Sequence, residues 1–445
     1  MKDLNEAYRE AVDYLLAIPK FANKTTHDNL RGFLRLLGNP QEAVPAIHIA
    51  GTNGKGSVCA YMAAMLQQAG KRVGMFTSPH LIRINERFQI NGKEIGDEEF
   101  LEVFRQVREA VEIGMSQGLL HPNFFEYLFI MAAVWYRKQQ PDYVIYETGL
   151  GGRLDATNVL KPKITVITSI GMDHMQYLGD TIEQIAGEKA GIIKPETTCV
   201  YLKQKDASAA VIEKIGEVRR SPLIPVEREA ITIDEIGAET IDFSYTTRYD
   251  NTSGSYSRPT YRIMKTALYQ TENAALAIEA IRSLLGKDIT EAVLQEGILR
   301  MRWKGRMEKL EPRIYVDGAH NEPAIQAFCD TVSKLYPNEK NVLLFAVASD
   351  KRYNEMIHIL CQAAVTFEKI IVTTIAGSRV TPVYQVAELF RVYAKPTSQI
   401  MEEPDDRQAF KLARTYAAEG CQVFCVGSLY LVGSLESQEG ENQHD

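Results

Sequence analysis

The sequence lacks an apolar segment long enough to cross a lipid bilayer. The longest apolar run, from Phe124 to Tyr136, contains Glu126 and falls short of the roughly 20 residues that a membrane-spanning helix needs. It therefore predicts a buried helix. The amino-terminal residues alternate charged and apolar side chains at helical spacing, without the uninterrupted apolar core of a secretory signal. These absences favour a cytoplasmic location and predict no membrane partner.

The chain also has no basic excess and no paired-cysteine motif. Its formal charge of −7 argues against a nucleic-acid partner, because phosphate backbones bind basic surfaces. The six cysteines include no CxxC pair and are interpreted as reduced core residues. Cys421 and Cys425 raise the alternatives of a disulfide or a metal site. In the strand expected there, residues four apart stand roughly 13 Å from each other, which disfavours both.

What the sequence does have is a repeated alternation of apolar strands with amphipathic helices. This pattern predicts an α/β fold in which residues 1–301 form a first domain with a mainly parallel sheet. Period-two alternation from Ile231 to Tyr261 predicts a small antiparallel excursion with a mobile tip at Thr252 to Ser255. Alternation restarts after residue 301, which predicts a smaller carboxy-terminal Rossmann-like α/β domain over residues 302–436. The acidic residues 437–445 are expected to form a disordered tail.

A glycine-rich turn follows the strand AIHIA and precedes a helix. Its glycines let backbone N–H groups converge on an anion, the helix N-terminus adds partial positive charge, and Lys55 can reach the terminal phosphates. The spacing departs from GxxxxGK[ST], so the alternative is a glycine-rich turn with an incidental lysine. We interpret the turn as the phosphate loop (P-loop) of an ATPase domain. Its residues are Gly51, Thr52, Asn53, Gly54, Lys55, Gly56 and Ser57.

Several further motifs follow this loop in a fixed order along nearly the whole chain. They are TSPHL (77–81), RINER (83–87), GLGGRLDATN (149–158), Asp173-His174, EKAGIIK (188–194), DGAHN (317–321) and GSLYL (427–431). Together with GTNGKGS, they resemble the folylpolyglutamate synthase and dihydrofolate synthase branch of the Mur ligase superfamily.

Two polar residues end apolar strands and are candidate metal ligands. Glu147 and His174 follow strands whose carboxyl ends would meet at one rim of a parallel sheet, where a carboxylate suits Mg²⁺. Histidine is a less typical Mg²⁺ ligand, so a core or supporting role for His174 stays open. The resemblance adds the hydroxyl of Ser78 as a ligand; a simple turn before Pro79 is the alternative. Two Mg²⁺ ions are expected.

Lys189 lies in a helical segment, where a lysine normally keeps its ammonium group in water. The resemblance implies instead a lysine that adds CO₂ to form a carbamate near the second metal ion. That chemistry requires a lowered pKa, produced by burial or by nearby positive charge. We keep the carbamate as a hypothesis.

The resemblance implies further nucleotide contacts from residues near and inside the second domain. Residues matching Asn273, Arg306 and Asp317 contact ATP in the family, and the DGAHN turn with His320 is expected to face the nucleotide across the interdomain cleft. The alternatives are a polar helix terminus for Asn273 and a surface charge for Arg306. Some positions depart from the family pattern and put fine contacts with adenine or glutamate in doubt. They are Ala267, Tyr269, Lys304 and Glu322.

The acid substrate is expected at segments that hold folate-type ligands in the family. Residues 21–34 belong here, and so do Phe125, Glu126, Arg153 and Asp155. An aromatic side chain suits a flat pterin. Because Phe125 lies in the apolar run, a core role is the alternative. Arg153 and Asp155 lie in a glycine-rich loop after a strand, which favours function.

The implied enzyme is an ATP-dependent ligase that joins L-glutamate to the carboxylate of a folate-type acid through an acyl phosphate. No protein nucleophile is needed, because alignment and charge neutralisation would come from Lys55, Ser57, Glu147, His174 and two Mg²⁺ ions. With the carbamate candidate Lys189, the expected catalytic residues are Lys55, Glu147, His174 and Lys189. The alternatives are a related Mur-type ligase acting on another acid and a non-catalytic P-loop protein that binds ATP. Dihydropteroate and reduced folate both stay open as acceptors. The resemblance favours a monomer.

Overall fold

The computed structural model describes residues 4–20, 26–246, 258–264, 267–375 and 379–442. The chain forms two compact units. The first contains Met1–Thr232, Ser244–Tyr261 and Glu272–Met301, and the second contains Ile233–Phe243, Arg262–Thr271 and Arg302–Asp445. The tip at Thr252 to Ser255, which the sequence predicts to be mobile, lies outside the described residues.

An eight-stranded sheet organises the first unit. Its strands are β1 (Ala46–Ala50), β2 (Val73–Phe76), β3 (Phe88–Ile90), β4 (Lys93–Glu94), β5 (Tyr143–Glu147), β6 (Ile164–Ile167), β7 (Cys199–Lys203) and β8 (Leu223–Glu227). The strand order is β4-β3-β2-β5-β1-β6-β7-β8. Neighbouring strands pair in parallel at β2/β5, β5/β1, β1/β6, β6/β7 and β7/β8. The pairs β2/β3 and β3/β4 are antiparallel. All five residues of the inner strand β1 are buried, as expected for a parallel strand covered on both faces.

The helices of this part of the chain supply most of its apolar core. They are α1 (Leu4–Ala17), α2 (His27–Leu36), α3 (Lys55–Gln68), α4 (Asp97–Ser116), α5 (Phe124–Gln139), α6 (Met175–Leu178), α7 (Ile182–Ala190), α8 (Ala207–Arg219), α9 (Gln270–Leu285) and α10 (Glu291–Arg300). Helix α5 confirms the buried helix that the apolar run predicts. Most of α3 is also buried, and α10 packs against it so closely that a Cβ on Gly297 would lie 2.6 Å from the Cα of Met65.

A separate three-stranded sheet occupies the region of the expected excursion. It has the order β11-β10-β9. Its strands are β9 (Ile231–Ile236), β10 (Thr240–Tyr245) and β11 (Thr260–Met264).

The second unit has its own six-stranded sheet. The strands are β12 (Arg306–Glu311), β13 (Ile314–Asp317), β14 (Asn341–Phe345), β15 (Phe367–Val372), β16 (Gln399–Glu402) and β17 (Gln422–Val426). Their order is β12-β13-β17-β14-β15-β16, antiparallel only at β12/β13. The helices are α11 (Glu322–Leu335), α12 (Tyr353–Gln362), α13 (Val383–Tyr393), α14 (Asp406–Ala418) and α15 (Leu429–Asn442). The predicted α/β fold, with its large mainly parallel sheet and second α/β region, is confirmed.

The last helix extends into the segment where a tail was expected. Helix α15 continues to Asn442 and so includes residues 437–442, while residues 443–445 lie outside the described residues. Leu431, Val432 and Leu435 are buried on its apolar side, and the Ser437 hydroxyl donates to the carbonyl of Gly433.

The cysteines match the interpretation from the sequence. All six are free thiols, and Cys425 lies inside β17 while Cys421 immediately precedes it. Among the described residues, no helix is both long enough and apolar enough to cross a membrane.

Candidate active site

The glycine-rich turn connects the buried end of β1 to the first residue of α3. Gly54 adopts φ of 86°, and a Cβ there would lie 2.3 Å from Oδ1 of Asn273. Both the left-handed conformation and this close approach require glycine. The turn therefore presents backbone N–H groups at a helix N-terminus, with the amide of Asn273 beside them.

Lys55 and Glu147 meet at this turn because β1 and β5 are adjacent parallel strands that end at the same edge. The Lys55 Nζ lies 3.8 Å from Oε1 of Glu147 and donates to the carbonyl of Thr52 at 3.2 Å. The carboxylate of Glu147 is buried, and its Oε2 accepts the backbone N–H of Ser78 at 3.0 Å. The structure thus brings three predicted residues, Lys55, Ser78 and Glu147, to one place.

The ligand atoms that these residues offer can be compared with those that Mg²⁺ usually takes. Within the described ranges, no group of three or more His, Cys, Asp and Glu side chains is arranged to hold a metal ion by itself. Mg²⁺ usually takes only one or two protein carboxylates and completes its octahedron with phosphate and water. A buried carboxylate beside a phosphate loop, as Glu147 is, fits that requirement.

His174 follows β6, the other neighbour of β1. It has a left-handed backbone with φ of 52° and caps the short helix α6. Its side chain is 41% exposed, and Nε2 lies 3.9 Å from Oδ2 of Asp173. The accessible imidazole is compatible with a ligand role and does not support the alternative of a core histidine.

Lys189 is buried, in contrast to the solvated lysine that a helix normally carries. Its Nζ donates a 2.7 Å hydrogen bond to the carbonyl of Gly51. Burial lowers the pKa of Lys189 to about 7; the charge of Lys55 acts in the same direction, and the carboxylates of Asp173 and Asp155 oppose it. The lowered pKa that carbamate formation requires is present.

The loop that follows Glu147 is enclosed on several sides. The ring of Phe125 packs against Gly149, where a Cβ would lie 2.8 Å from the ring atoms. The Oδ2 atom of Asp155 accepts the backbone N–H groups of Gly149 and Leu150, each at 2.9 Å. We call the segment from Gly149 to Asp155 the acid loop. Phe125 packs against its first residue, and the side chain of Asp155, its last residue, bonds back to its start.

The other two predicted acid-binding residues make local contacts. Glu126 forms a capping box with Asn123, in which each side chain accepts the other residue's backbone N–H at 2.9 Å. Arg153 is 56% exposed and its Nη2 forms a 2.7 Å ion pair with Glu188. The cap shows that Glu126 stabilises the first turn of helix α5, and the ion pair links the acid loop to α7.

Asp317 is the buried centre of the predicted residues in the second unit. Its Oδ2 accepts the Tyr269 hydroxyl, and its Oδ1 accepts the N–H of Ala319, both at 2.8 Å. Burial raises the pKa of Asp317, while the charge of Arg306 opposes the shift. His320 contacts its own turn through Nδ1 and the carbonyl of Gly318 at 2.7 Å.

The departures from the family pattern in this unit acquire partners. The hydroxyl of Tyr269 donates a hydrogen bond to Asp317. Lys304 forms a 3.0 Å ion pair with Glu436, and Glu322 forms a 2.9 Å ion pair with Arg352. Each unusual residue is therefore integrated into the local structure.

Sequence reasoning missed two residues behind the acid loop, His48 and Thr157. The side chain of His48 points from β1 to the hydroxyl of Thr157, at 2.7 Å from Nε2 to Oγ1. The signal was a single histidine within the otherwise apolar strand AIHIA.

Comparison with known proteins assigns the chain to a family. The family models for the Mur ligase middle domain and for the glutamate ligase domain of Mur ligases match residues 122–281 and 300–429. The chain is thus an ATP-dependent ligase of the Mur type. It is 33% identical to the Bacillus subtilis dihydrofolate synthase/folylpolyglutamate synthase, over 97% of this chain and 99% of that protein. The chain therefore belongs to the folylpolyglutamate synthase/dihydrofolate synthase family.

Solved structures of two relatives have the same fold. The Thermotoga maritima folylpolyglutamate synthase is 26% identical, with a TM-score of 0.83 over 99% of this chain and 98% of that one. The Mycobacterium tuberculosis folylpolyglutamate synthase, solved in complex with ADP, is 25% identical, with a TM-score of 0.87 over 98% and 99% of the two chains.

Proposed function

We propose that this protein joins L-glutamate to the carboxylate of a folate-type acid, using ATP to form an acyl phosphate. The observation that carries the proposal is the pairing of Lys55 with Glu147 at the phosphate loop, in a chain that resembles the B. subtilis synthase over almost its full length. The acid attacks the γ-phosphoryl group, ADP leaves, and the glutamate amine then displaces phosphate from the acyl group.

Two groups of residues would bind the nucleotide. Backbone N–H groups of Gly51 to Ser57 would receive the phosphates, and the Lys55 ammonium would neutralise charge on the transferred group. Asn273, beside Gly54, would contact the nucleotide from α9. Arg306, Asp317 and His320 remain nucleotide contacts implied by the family resemblance, and the planar guanidinium of Arg306 is suited to phosphate oxygens.

Glu147, Ser78 and His174 would hold Mg²⁺, which when bound neutralises the phosphate oxygens and makes the γ-phosphoryl group easier to attack. The chain's own contribution is to keep the Glu147 carboxylate buried and oriented, through the N–H of Ser78. We further propose that Lys189 accepts CO₂ as a carbamate, for which its burial and its pKa of about 7 are the supporting observations.

The acid would lie at the acid loop. The ring of Phe125 offers an apolar surface next to Gly149, and the guanidinium of Arg153, which is paired with Glu188 and 56% exposed, would offer N–H donors. Asp155 would act through the loop backbone that it holds. Glu126 would serve the site by fixing the start of the helix that carries Phe125.

An acceptor panel tests the proposal. Purified protein is incubated with ATP, Mg²⁺, glutamate and one acid at a time, comprising dihydropteroate, reduced folate monoglutamate and an unrelated carboxylic acid, and products are identified by mass spectrometry. We expect a mass increase of one glutamyl residue on a pterin acid, lost in Lys55→Ala. Lys161→Ala is the matched control, because Lys161 forms a 2.9 Å pair with Glu42 at the surface.

Two outcomes would contradict the proposal. Glutamylation of the unrelated acid alone would indicate a Mur-type ligase with another substrate. ATP binding without any amide product would indicate a non-catalytic nucleotide-binding protein.

A further inference from the structure

A fully buried histidine on the central strand supports the acid loop from behind. His48 lies three residues before Gly51, and its Nε2 is 2.7 Å from Oγ1 of Thr157. In the part of the chain that the structure describes, Nδ1 of His48 has no hydrogen-bond partner. The ring thus makes one polar contact in an apolar strand, and that contact leads to Thr157.

The hydrogen bond between Thr157 and Asp155 determines which atom is the donor in the bond between His48 and Thr157. The hydroxyl of Thr157 has a single proton, which it donates to Oδ1 of Asp155. The oxygen must therefore accept from His48, so Nε2 of His48 carries the hydrogen and Nδ1 carries none. Burial lowers the pKa of His48 to about 3, which keeps the ring neutral in this tautomer.

The carboxylate of Asp155 is held by the protein on both oxygens. Oδ1 accepts the hydroxyl and the backbone N–H of Thr157, and Oδ2 accepts the N–H groups of Gly149 and Leu150. If Oδ1 lost the hydroxyl, the carboxylate could rotate away from the loop. The Gly149 and Leu150 amides would then lose the acceptor that fixes them two residues after Glu147.

We propose that His48 and Thr157 are positioning residues, which orient Asp155 so that it holds the acid loop in the shape that receives the acid substrate. The proposal rests on the proposed function, because the acid loop is assigned to the acid there. The hydrogen bonds run in one direction, from the His48 ring to the Thr157 hydroxyl, then to the Asp155 carboxylate, which receives the loop amides from its other side. Neither His48 nor Thr157 needs to touch the acid.

Hydrogen–deuterium exchange tests the structural half of the proposal without any substrate. We expect Thr157→Val to accelerate exchange of the Gly149 and Leu150 amides about tenfold, the size expected from losing one hydrogen bond to a charged group. Thr157→Ser, which keeps the hydroxyl, should restore protection. The matched control is Thr165→Val, since Thr165 is also a buried threonine, on β6, but its hydroxyl bonds the carbonyl of Thr198.

Steady-state kinetics test the functional half. In Thr157→Val, we expect the KM for the pterin acid to rise about tenfold, while the KM for ATP changes less than twofold. His48→Gln, whose amide N–H can still donate to Thr157, should lie closer to the wild type than His48→Leu. A purely structural role would lower the melting temperature without this split between the two substrates.

The outcomes separate the two proposals. Unchanged exchange at Gly149 and Leu150 in Thr157→Val overturns the relay, whatever the substrate is. Faster exchange with an unchanged KM for an acid that the wild type does glutamylate overturns the link from the loop to the acid. If the wild type glutamylates no pterin acid, the proposed function fails, and a positive exchange result still supports the relay.

Discussion

The ammonium group of Lys189 donates a 2.7 Å hydrogen bond to the carbonyl oxygen of Gly51, which joins the end of helix α7 to the first residue of the phosphate loop. This contact places a buried lysine against the glycine-rich turn, although the two residues are 138 positions apart in sequence. The chemistry of one side chain is therefore coupled to the shape of the loop.

Lys189 should make the folded protein more stable as the pH rises. Its folded pKa of about 7 lies below its usual value, so below pH 7 both states carry the proton and the cost of burying the charge is fully present. Between pH 7 and the unfolded pKa, the unfolded chain binds the extra proton, and stability increases. In CO₂-free buffer, we expect the free energy of unfolding to increase from pH 7 to 9 by about 2 kcal/mol more in the wild type than in Lys189→Met.

Denaturant unfolding at several pH values measures this difference. Lys205→Met is the control, because Lys205 is 88% exposed and its removal should leave the pH dependence as in the wild type. Parallel curves for the wild type and Lys189→Met would show that Lys189 keeps an ordinary pKa.

Glu147→Gln should raise the Mg²⁺ concentration needed for half-maximal turnover. The substitution keeps the size of a buried side chain but removes the charge next to Lys55, so we expect an increase of about tenfold, equivalent to about 1.4 kcal/mol. The KM for glutamate should change far less. Magnesium titration of turnover is the measurement, with the surface variant Glu42→Gln as control; equal Mg²⁺ requirements in all three proteins would remove Glu147 from the metal site.

Gly54→Ala should damage nucleotide use because of both its backbone and its neighbour. The added Cβ would meet Oδ1 of Asn273 at 2.3 Å, and φ of 86° disfavours alanine by roughly 1–2 kcal/mol. We expect kcat/KM for ATP to fall about 100-fold or more. Adding Asn273→Ala should relieve the clash without restoring the wild-type rate.

A second glycine provides the matched control for this experiment. Gly70 has φ of 77°, and a Cβ there meets no atom within 4 Å. Gly70→Ala should therefore cost about 1 kcal/mol of stability while leaving kcat/KM unchanged. If Gly54→Ala behaved like Gly70→Ala, close approach at the phosphate loop would not matter.

The ion pair between Lys304 and Glu436 should be worth more than a surface pair. Glu436 is only 5% exposed, so removing its partner leaves a poorly solvated carboxylate, although the 68% exposure of Lys304 screens part of the interaction. We expect a coupling free energy of about 1–2 kcal/mol in the cycle of Lys304→Met and Glu436→Gln. The same cycle at Lys161 and Glu42 should give about 0.2–1 kcal/mol. Equal values would mean that burial of Glu436 adds nothing.

The sequence predicted the elements whose chemistry is local or follows from the ends of parallel strands. Lys55 comes directly after the glycines of a strand-to-helix turn, and Glu147 ends a strand that pairs with β1, so their meeting could be expected. The burial of Lys189 could not, because helical periodicity does not reveal which side of a short helix another segment covers. The contact with Gly51 arises only from tertiary packing.

Two acidic residues that were expected at the acid substrate make hydrogen bonds that were not predicted from the sequence. The family resemblance implied a substrate contact for Glu126, and in the structure this residue forms a capping box with Asn123. Asp155 looked like a ligand-binding carboxylate in a glycine-rich loop, and its acceptor capacity is instead directed to the loop itself. In both cases, the acidic side chain accepts short-range hydrogen bonds from backbone N–H groups.

Helix α3 begins at Lys55 and is enclosed for most of its length, with Gly297 of α10 against Met65. A scaffold packed this tightly has little freedom to rearrange when a ligand arrives. The nucleotide would therefore bind to a preformed site, and the protein chain would lose little conformational entropy on binding. Adaptation to acids of different length would have to come from the loops at the sheet edge, which makes those loops the natural targets for changing what this ligase accepts.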